Sequence, residues 1–173
     1  MRFRFALLAL APAAITSPAF ATTYLSVSQA QALMFPGATL VADQRTLTDA
    51  QANDIQRAAG VSVATRTLHA WRSSDGGWFI VDQVIGKHEL ITFALALDTH
   101  GTVRDLEILE YRESYGFQIR DAAWRRQFVG ASARSQLRVG QDIQNISGAS
   151  LSSRHVTEGV RRLLATYAVV LSR

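Results

Sequence analysis

Hydrophobic and polar residues alternate through two neighbouring segments near the middle of the chain. The first segment, "TRTLHAWRSSDGGWFIVDQVIG", is rich in β-forming residues on both sides of "SSDGG". The second, "HELITFALALDTHGTVRDLEILEYRE", repeats the pattern around "DTHG". Both interruptions are typical of hairpin turns. The simplest arrangement is an antiparallel sheet of about four strands.

Two helices are predicted before these strands. Ser26 and Thr48 each precede a glutamine by three residues, which is the capping-box pattern at a helix start. We therefore expect helices over roughly 27–34 and 49–59, and Gly60 stands where the second should end.

Two further helices are predicted after the strands. One is expected near 122–129, and the last should run from about Ser153 towards Leu171. Glu158, Arg161 and Arg162 are expected to face away from the sheet. The apolar residues of the last helix fall on one stripe that should pack on the sheet: Val156, Val160, Leu163, Leu164, Tyr167 and Leu171. The fold class is therefore α+β, a single domain with a long C-terminal helix.

The first 21 residues have the pattern of an export signal. Arg2 and Arg4 precede an apolar stretch, and Ala19-Phe20-Ala21 has the small-x-small form of a cleavage site. We predict a signal peptide over 1–21 and one domain over 22–173. A retained anchor is the alternative, but the apolar run is short for a membrane span. The localisation expected is periplasmic or secreted.

Composition excludes several kinds of chemistry. The chain has no cysteine, so disulfides, thiolate metal sites and a cysteine nucleophile are excluded. Its four histidines are dispersed without metal-ligand spacing, so no metal site is predicted. The net charge of +4 falls to +2 without Arg2 and Arg4, and nucleic acid is not an expected partner. The densest basic group, Arg120, Arg125 and Arg126, indicates solvated helix faces or anion contacts.

The run "ISGASLSS" stands immediately before the last predicted helix. Backbone amides at a helix start have no intrahelical partners and favour a phosphate. The alternative is that Ser152 or Ser153 only caps the helix. A serine hydrolase is disfavoured, because "GASLS" lacks the second glycine of a nucleophile elbow.

The run Ser147-Gly148-Ala149-Ser150-Leu151-Ser152 resembles the S/T-G-A-T/S flavinylation motif of FMN-binding domains. Such domains occur in the C and G subunits of sodium-pumping NADH:quinone reductase, in related electron-transport complexes and in exported electron carriers. In that family a flavin transferase uses FAD to esterify the last hydroxyl of the motif with the phosphate of FMN. The resemblance implies that Ser150 is the attachment residue.

A second stretch, "RESYGFQIRDAAWRRQFVG", resembles the family's turn and the helix that follows it. Glu113 and Gly116 match the turn, and Gln127, Phe128 and Gly130 match the helix end. The two matches together span roughly residues 80 to 165.

Other residues are further candidates for the flavin site. Asn145 stands where the family has an acidic residue, and Asp142 is the nearest carboxylate. Lys87 in "GKHE" is either a solvent-exposed strand corner or a cation near the flavin's N1 region. Four aromatic residues are candidates for core packing, or one or two of them for covering the isoalloxazine ring: Tyr111, Tyr115, Phe117 and Trp124.

The resemblance implies an exported flavoprotein that carries covalent FMN and transfers electrons. Its implied partners are a flavin transferase for maturation and a membrane flavoprotein or cytochrome for electron exchange. A bound nicotinamide donor is not expected, because no G-x-G-x-x-G unit follows a strand. The alternatives are a flavin-free secreted interaction module of the same fold and an enzyme, either a flavin reductase or a serine hydrolase.

Overall fold

The computed structural model describes residues 22–172, and the predicted signal peptide lies outside them. The seven strands are Thr22–Thr23 (β1), Leu40–Ala42 (β2), Arg45–Thr46 (β3), Thr67–Ser73 (β4), Trp78–Ile85 (β5), Leu90–Leu97 (β6) and Val103–Tyr111 (β7). The α-helices are Val27–Met34 (α1), Asp49–Ala59 (α2), Ala122–Arg125 (α3) and Ser150–Thr166 (α4). Short 3₁₀ turns cover Phe117–Arg120 and Arg126–Phe128, and a π-helical turn, Tyr167–Leu171, extends α4.

The strands form one antiparallel sheet in the order β1-β7-β6-β5-β4-β2, and β3 also pairs with β4. Strands β4 to β7 are the four that alternation predicts, so the α+β prediction is confirmed. The central register places Val81 of β5 opposite Ala94 of β6. The other three strands contain only two or three residues each. Strands of that length are too short to show a period of two.

Helices cover both faces of the sheet. On one face, α1 contacts β6 and β7 through a small apolar cluster that includes Phe35 and Phe79. On the other face, α2 and α4 enclose a larger cluster, in which Ile55, Phe93 and Val160 are completely buried. Burial of this apolar surface is the main force that holds the helices on the sheet.

Helices α1 and α2 have the predicted bounds and the predicted capping boxes. The Ser26 hydroxyl accepts from the Gln29 amide at 3.2 Å, and the Gln29 side chain accepts from the Ser26 amide at 2.8 Å. Thr48 and Gln51 make the equivalent pair. Gly60 ends α2 with a φ of 65°, as the sequence predicts.

The helix predicted near 122–129 is shorter than expected. It consists of α3, which is a single helical turn, followed by the 3₁₀ turn Arg126–Phe128. Of the two alternatives for the basic group, a solvated helix face is wrong for Arg125, which makes an anion contact within the protein. Its guanidinium donates to the Leu106 carbonyl at 2.6 Å and pairs with the nearly buried Glu107 carboxylate. Arg120 instead stacks on the Tyr24 ring, 3.4 Å from the ring centroid. Both side chains therefore attach this segment to the sheet.

Helix α4 begins at Ser150, three residues before the predicted start at Ser153. The apolar stripe is buried as predicted, apart from Tyr167, which is half-buried. Arg162 does not face away from the sheet. It forms an ion pair with Asp82 of β5 at 2.7 Å, and each side chain is only 13% exposed.

Gly159 lets α4 approach the sheet closely, since a Cβ there would lie 2.8 Å from Cζ of Phe93. Within residues 22–172, no helix is both long and apolar enough to cross a membrane.

Candidate functional site

A cavity of about 530 Å³ opens between the "SGAS" loop and the turn that follows β5. Its floor is the start of α4, and its other walls come from the turn after β5 and the bend after β7. The lining residues are Lys87, His88, Glu113, Ser114, Tyr115, Gly148, Ala149, Ser150, Leu151 and Ser152. The fold therefore brings together three segments that are far apart in sequence.

Ser150 is exposed and is the first residue of α4. Among residues 22–172, the backbone amides of Ser150, Leu151 and Ser152 have no hydrogen-bond partner, whereas the Ser153 amide donates to the Ala149 carbonyl at 3.0 Å. Free amides at the positive end of a helix dipole favour a bound anion. The hydroxyl at Ser150 is thus next to three backbone donors.

The alternative in which Ser152 or Ser153 caps α4 is wrong. Ala149 is the N-cap residue, and no side chain makes the capping bond. The Ser153 hydroxyl is buried, and it shares its one proton between the Ala149 carbonyl at 3.2 Å and the Asn145 side-chain carbonyl at 3.1 Å. The Ser152 hydroxyl forms a buried hydrogen bond with the Tyr111 hydroxyl at 3.1 Å. Neither serine satisfies the amides at the helix start.

Asn145 holds the Ser150 hydroxyl in place. Its side-chain amide donates to the Ser150 hydroxyl at 3.2 Å, and its side-chain carbonyl accepts from the Ser153 hydroxyl at 3.1 Å. A neutral amide that donates to a hydroxyl orients it but does not remove its proton. Asn145 is therefore a positioning residue for Ser150.

The second sequence match supports the loop that carries the first. The Gln127 side chain accepts from the Gln144 amide at 2.8 Å, and the Trp124 indole donates to the Gln144 carbonyl at 2.8 Å. Both bonds fix the backbone immediately before Asn145. The two motifs are thus parts of one structural unit.

Gly116 and Ala149 are in close contact. A Cβ on Gly116 would lie 2.5 Å from Cβ of Ala149 and 2.6 Å from the hydroxyl oxygen of Tyr111. Gly116 also has a φ of 94°, which side chains other than glycine rarely adopt. Gly116 does not line the cavity, and its contact with Ala149 sets the position of the "SGAS" loop relative to β7.

Glu113 attaches the turn after β5 to the bend after β7. Its carboxylate accepts from the amides of His88 at 2.5 Å and Glu89 at 3.0 Å. Burial alone would raise the pKa of Glu113, but the backbone amides of Glu89, His88 and Lys87 outweigh burial and lower it. The ionised carboxylate therefore holds Lys87 at the wall of the cavity.

His155 is a second attachment of the same turn that the sequence did not indicate. Its Nδ1 lies 2.6 Å from the Ile85 carbonyl oxygen and 3.0 Å from the Gly86 carbonyl oxygen. The imidazole therefore joins the first turns of α4 to the end of β5.

The four aromatic candidates differ in how far their side chains are exposed to solvent. Tyr111 and Trp124 are buried and belong to the core. Tyr115 is 81% exposed and lines the cavity, and Phe117 is 59% exposed. Burial raises the pKa of Tyr111, and the nearby Glu113 carboxylate raises it further although the bond to Ser152 opposes this. Of the four, Tyr115 is the one placed to cover a planar ligand.

Most of the residues predicted for the site line this one cavity. The exceptions are Ser147 and Gly116, which flank it. The sequence did not indicate His88 and Ser114 as lining residues. His88 could have been suggested by its position beside Lys87, whereas Ser114 carries no distinguishing signal.

Comparison with known proteins yields one family match. Residues 86–165 match the family described as the FMN-binding domain. The matched segment contains the turn after β5, Glu113, Gln127 and the "SGAS" loop. No match is found among curated proteins. The resemblance carried by the two sequence motifs is therefore confirmed.

Proposed function

Because residues 86–165 of this chain belong to the FMN-binding domain family, we propose that the protein is an exported electron carrier that holds FMN as a phosphoester on Ser150. The family match supports flavin binding. The observation that supports covalent attachment is the exposed Ser150 hydroxyl beside three free backbone amides.

The helix start has the donors that a phosphoester at Ser150 would need. The amides of Ser150, Leu151 and Ser152 would donate to the two oxygens of the phosphodiester that remain free. The positive end of the helix dipole would offset their negative charge. Arg154, one turn further along α4, lines the neighbouring cavity and adds a positive charge on that side.

Attachment requires an external donor and an external catalyst. The Ser150 oxygen would attack the flavin-side phosphorus of FAD, forming an O–P bond as the bond to the AMP phosphate breaks. AMP leaves, and the serine proton passes to a base on the flavin transferase. Within the described residues, the only side chain bonded to the Ser150 hydroxyl is the neutral amide of Asn145, so these residues do not supply that base.

The cavity beside Ser150 suits the ring system of the cofactor. Its volume of about 530 Å³ falls within the usual range for small-molecule sites. Tyr115 and Leu151 offer exposed apolar surface at its wall, and Lys87 offers a positive charge. Bound FMN would supply reversible acceptance of one or two electrons. Lys87 would stabilise the negative charge of the reduced flavin.

The proposal includes export and a separate redox partner. Export rests on the charged start, the apolar stretch and the small-x-small site at residues 19–21. A membrane flavoprotein or a cytochrome is the class of partner that would exchange electrons with the flavin. The full chain should be processed before Thr22, which N-terminal sequencing of the exported protein can check.

Loading of the full chain in the periplasm tests the proposal. Co-expression with a flavin transferase should give a yellow protein whose fluorescent band survives denaturing electrophoresis. Ser150→Ala should abolish the band, and Ser150→Thr should retain it. Ser147→Ala is the matched control, because it removes a neighbouring hydroxyl that does not carry the flavin. An unlabelled wild type beside a labelled known acceptor, with no rescue by Asn145→Asp, would reject covalent attachment.

A further inference from the structure

A second cavity on the other side of Ser150 is strongly basic. Its volume is about 500 Å³, and it shares Arg138 and Arg161 with a third cavity of about 340 Å³. We call this continuous surface the arginine groove and define it by Arg134, Arg138, Arg154 and Arg161. Glu158 is the only carboxylate that lines it within the described residues.

The four groove arginines have no acidic partner among residues 22–172, which is also true of Arg72, Arg120 and Arg126, but only in the groove do such arginines line one surface. Arg45, Arg125 and Arg162 each form ion pairs, whereas no groove arginine forms one within residues 22–172. The Nε atom of Arg161 is buried and has no hydrogen-bond partner among the same residues. A buried donor without an acceptor costs free energy. The groove therefore has positive charge and donor capacity that the protein itself does not use.

This charge is local. Of the 18 lysines and arginines in the chain, Arg2, Arg4 and Arg173 lie outside the described residues, so residues 22–172 are nearly neutral against their 14 carboxylates. The groove concentrates a positive charge that the rest of the surface offsets. Such a patch steers an oppositely charged partner towards one face.

We propose that the arginine groove is the docking surface for an acidic face of the protein that exchanges electrons with the flavin. This inference rests on the proposed function, because Ser150 and Leu151 line both the arginine groove and the cofactor cavity. A partner seated in the groove would therefore lie beside the flavin.

The spacing of the arginines favours a protein surface over a single small anion. Arg154 and Arg161 are two helical turns apart, a separation of about 10 Å along the axis of α4. Arg134 and Arg138 add positive charge from the loop before the "SGAS" run. A guanidinium pairs with a carboxylate through two parallel hydrogen bonds. Several carboxylates spread over an acidic face can use all four groups at once.

Electron exchange with probe proteins of known charge tests this assignment. The reduced, flavin-loaded full chain is mixed with an oxidised acidic blue-copper protein, or with basic cytochrome c, at low ionic strength. In each encounter one electron passes from the flavin to the probe's metal ion, and flavin protons are released to water. Arg134→Gln/Arg138→Gln should slow oxidation by the acidic probe about tenfold, and added salt should remove the difference. The same variant should not slow oxidation by cytochrome c.

The matched control is Arg72→Gln/Arg126→Gln, which removes the same charge from two exposed arginines outside the groove that also form no ion pair within residues 22–172, and it should remain within about twofold of wild type. Equal slowing by both double variants would overturn the inference, and so would no slowing by either.

Binding of the acidic probe to unloaded protein gives an answer even if no flavin is attached. If Arg134→Gln/Arg138→Gln weakens this binding and the control does not, the arginine groove is supported as a docking surface even when the protein carries no flavin. If the acidic probe does not bind wild type, the arginine groove is rejected whatever the flavin content.

Discussion

Replacing Gly116 with alanine tests the contact that positions the "SGAS" loop. The new Cβ would lie 2.5 Å from Cβ of Ala149 and 2.6 Å from the Tyr111 hydroxyl oxygen, both well inside van der Waals contact. The backbone φ of 94° adds a conformational penalty. Gly130 has a similar φ of 84°, but a Cβ added there would have no atom within 4 Å, so Gly130→Ala isolates the backbone effect.

The two variants should lose different amounts of unfolding free energy, because only Gly116→Ala adds a steric clash to the backbone penalty. A side chain in the left-handed region costs about 1–2 kcal/mol, which applies to both variants. Overpacking adds about 1–3 kcal/mol, which applies only to Gly116→Ala. Gly130→Ala should therefore lose about 1–2 kcal/mol of unfolding free energy, and Gly116→Ala about 2–5 kcal/mol.

Urea unfolding of the flavin-free proteins measures this difference. With a slope near 2 kcal/mol per molar urea, a difference of about 2 kcal/mol between the variants moves the midpoint by about 1 M. Ala149→Gly in the Gly116→Ala background should recover part of the loss, because it removes one of the two clashing groups. Equal destabilisation by Gly116→Ala and Gly130→Ala, with no recovery, would refute the close contact.

Three further changes test other parts of the structure. Glu113→Gln should lower the unfolding free energy by about 1–2 kcal/mol at neutral pH. The pKa of Glu113 is lowered in the folded state, so its stabilising contribution is present above the unfolded pKa of about 4.3. The difference in unfolding free energy between variant and wild type should therefore narrow as the pH falls below about 5. A difference that stays constant would contradict this. Gly159→Ala should lower the unfolding free energy by about 1–3 kcal/mol, because the new Cβ would contact the buried Phe93 ring. This loss should outweigh the higher helix propensity of alanine. A melting temperature above that of wild type would contradict the close contact. Asp82→Asn breaks a nearly buried ion pair and should lower the unfolding free energy, measured by chemical denaturation, by about 2–4 kcal/mol. Asp54→Asn breaks an exposed ion pair and should lower it by less than about 1 kcal/mol. Similar losses for both variants would contradict the role given to burial.

Local sequence signals were sufficient to predict the helices whose ends are set by capping residues within the same segment. Ser26 and Thr48 carry complete capping boxes, so α1 and α2 have the predicted bounds. The start of α4 could not be predicted in the same way, because its N-cap residue is Ala149 and no side chain makes a capping bond there. Ser152 and Ser153, which look like caps in the sequence, use their hydroxyls in buried contacts.

The site could be predicted only where a contiguous motif carries it. The "SGAS" run identified the loop and Ser150, and the second motif identified Glu113 and Gln127. The attachment of the turn after β5 by His155 depends on residues 69 and 70 positions apart, which no local pattern encodes. The arginine groove was missed for the same reason, since its loop and helix meet only in the folded protein.

The proposed function depends on a covalent bond between FMN and Ser150, which intact-mass spectrometry of the exported full chain can detect. Protein co-expressed with a flavin transferase should be heavier than unloaded protein by the mass of FMN less one water. Fragmentation should place that mass on Ser150, and Ser150→Ala should lack it while showing the same unfolding transition as unloaded wild type. The same added mass on Ser147 or on any other residue, or wild type without the added mass beside a labelled known acceptor, would contradict the bond.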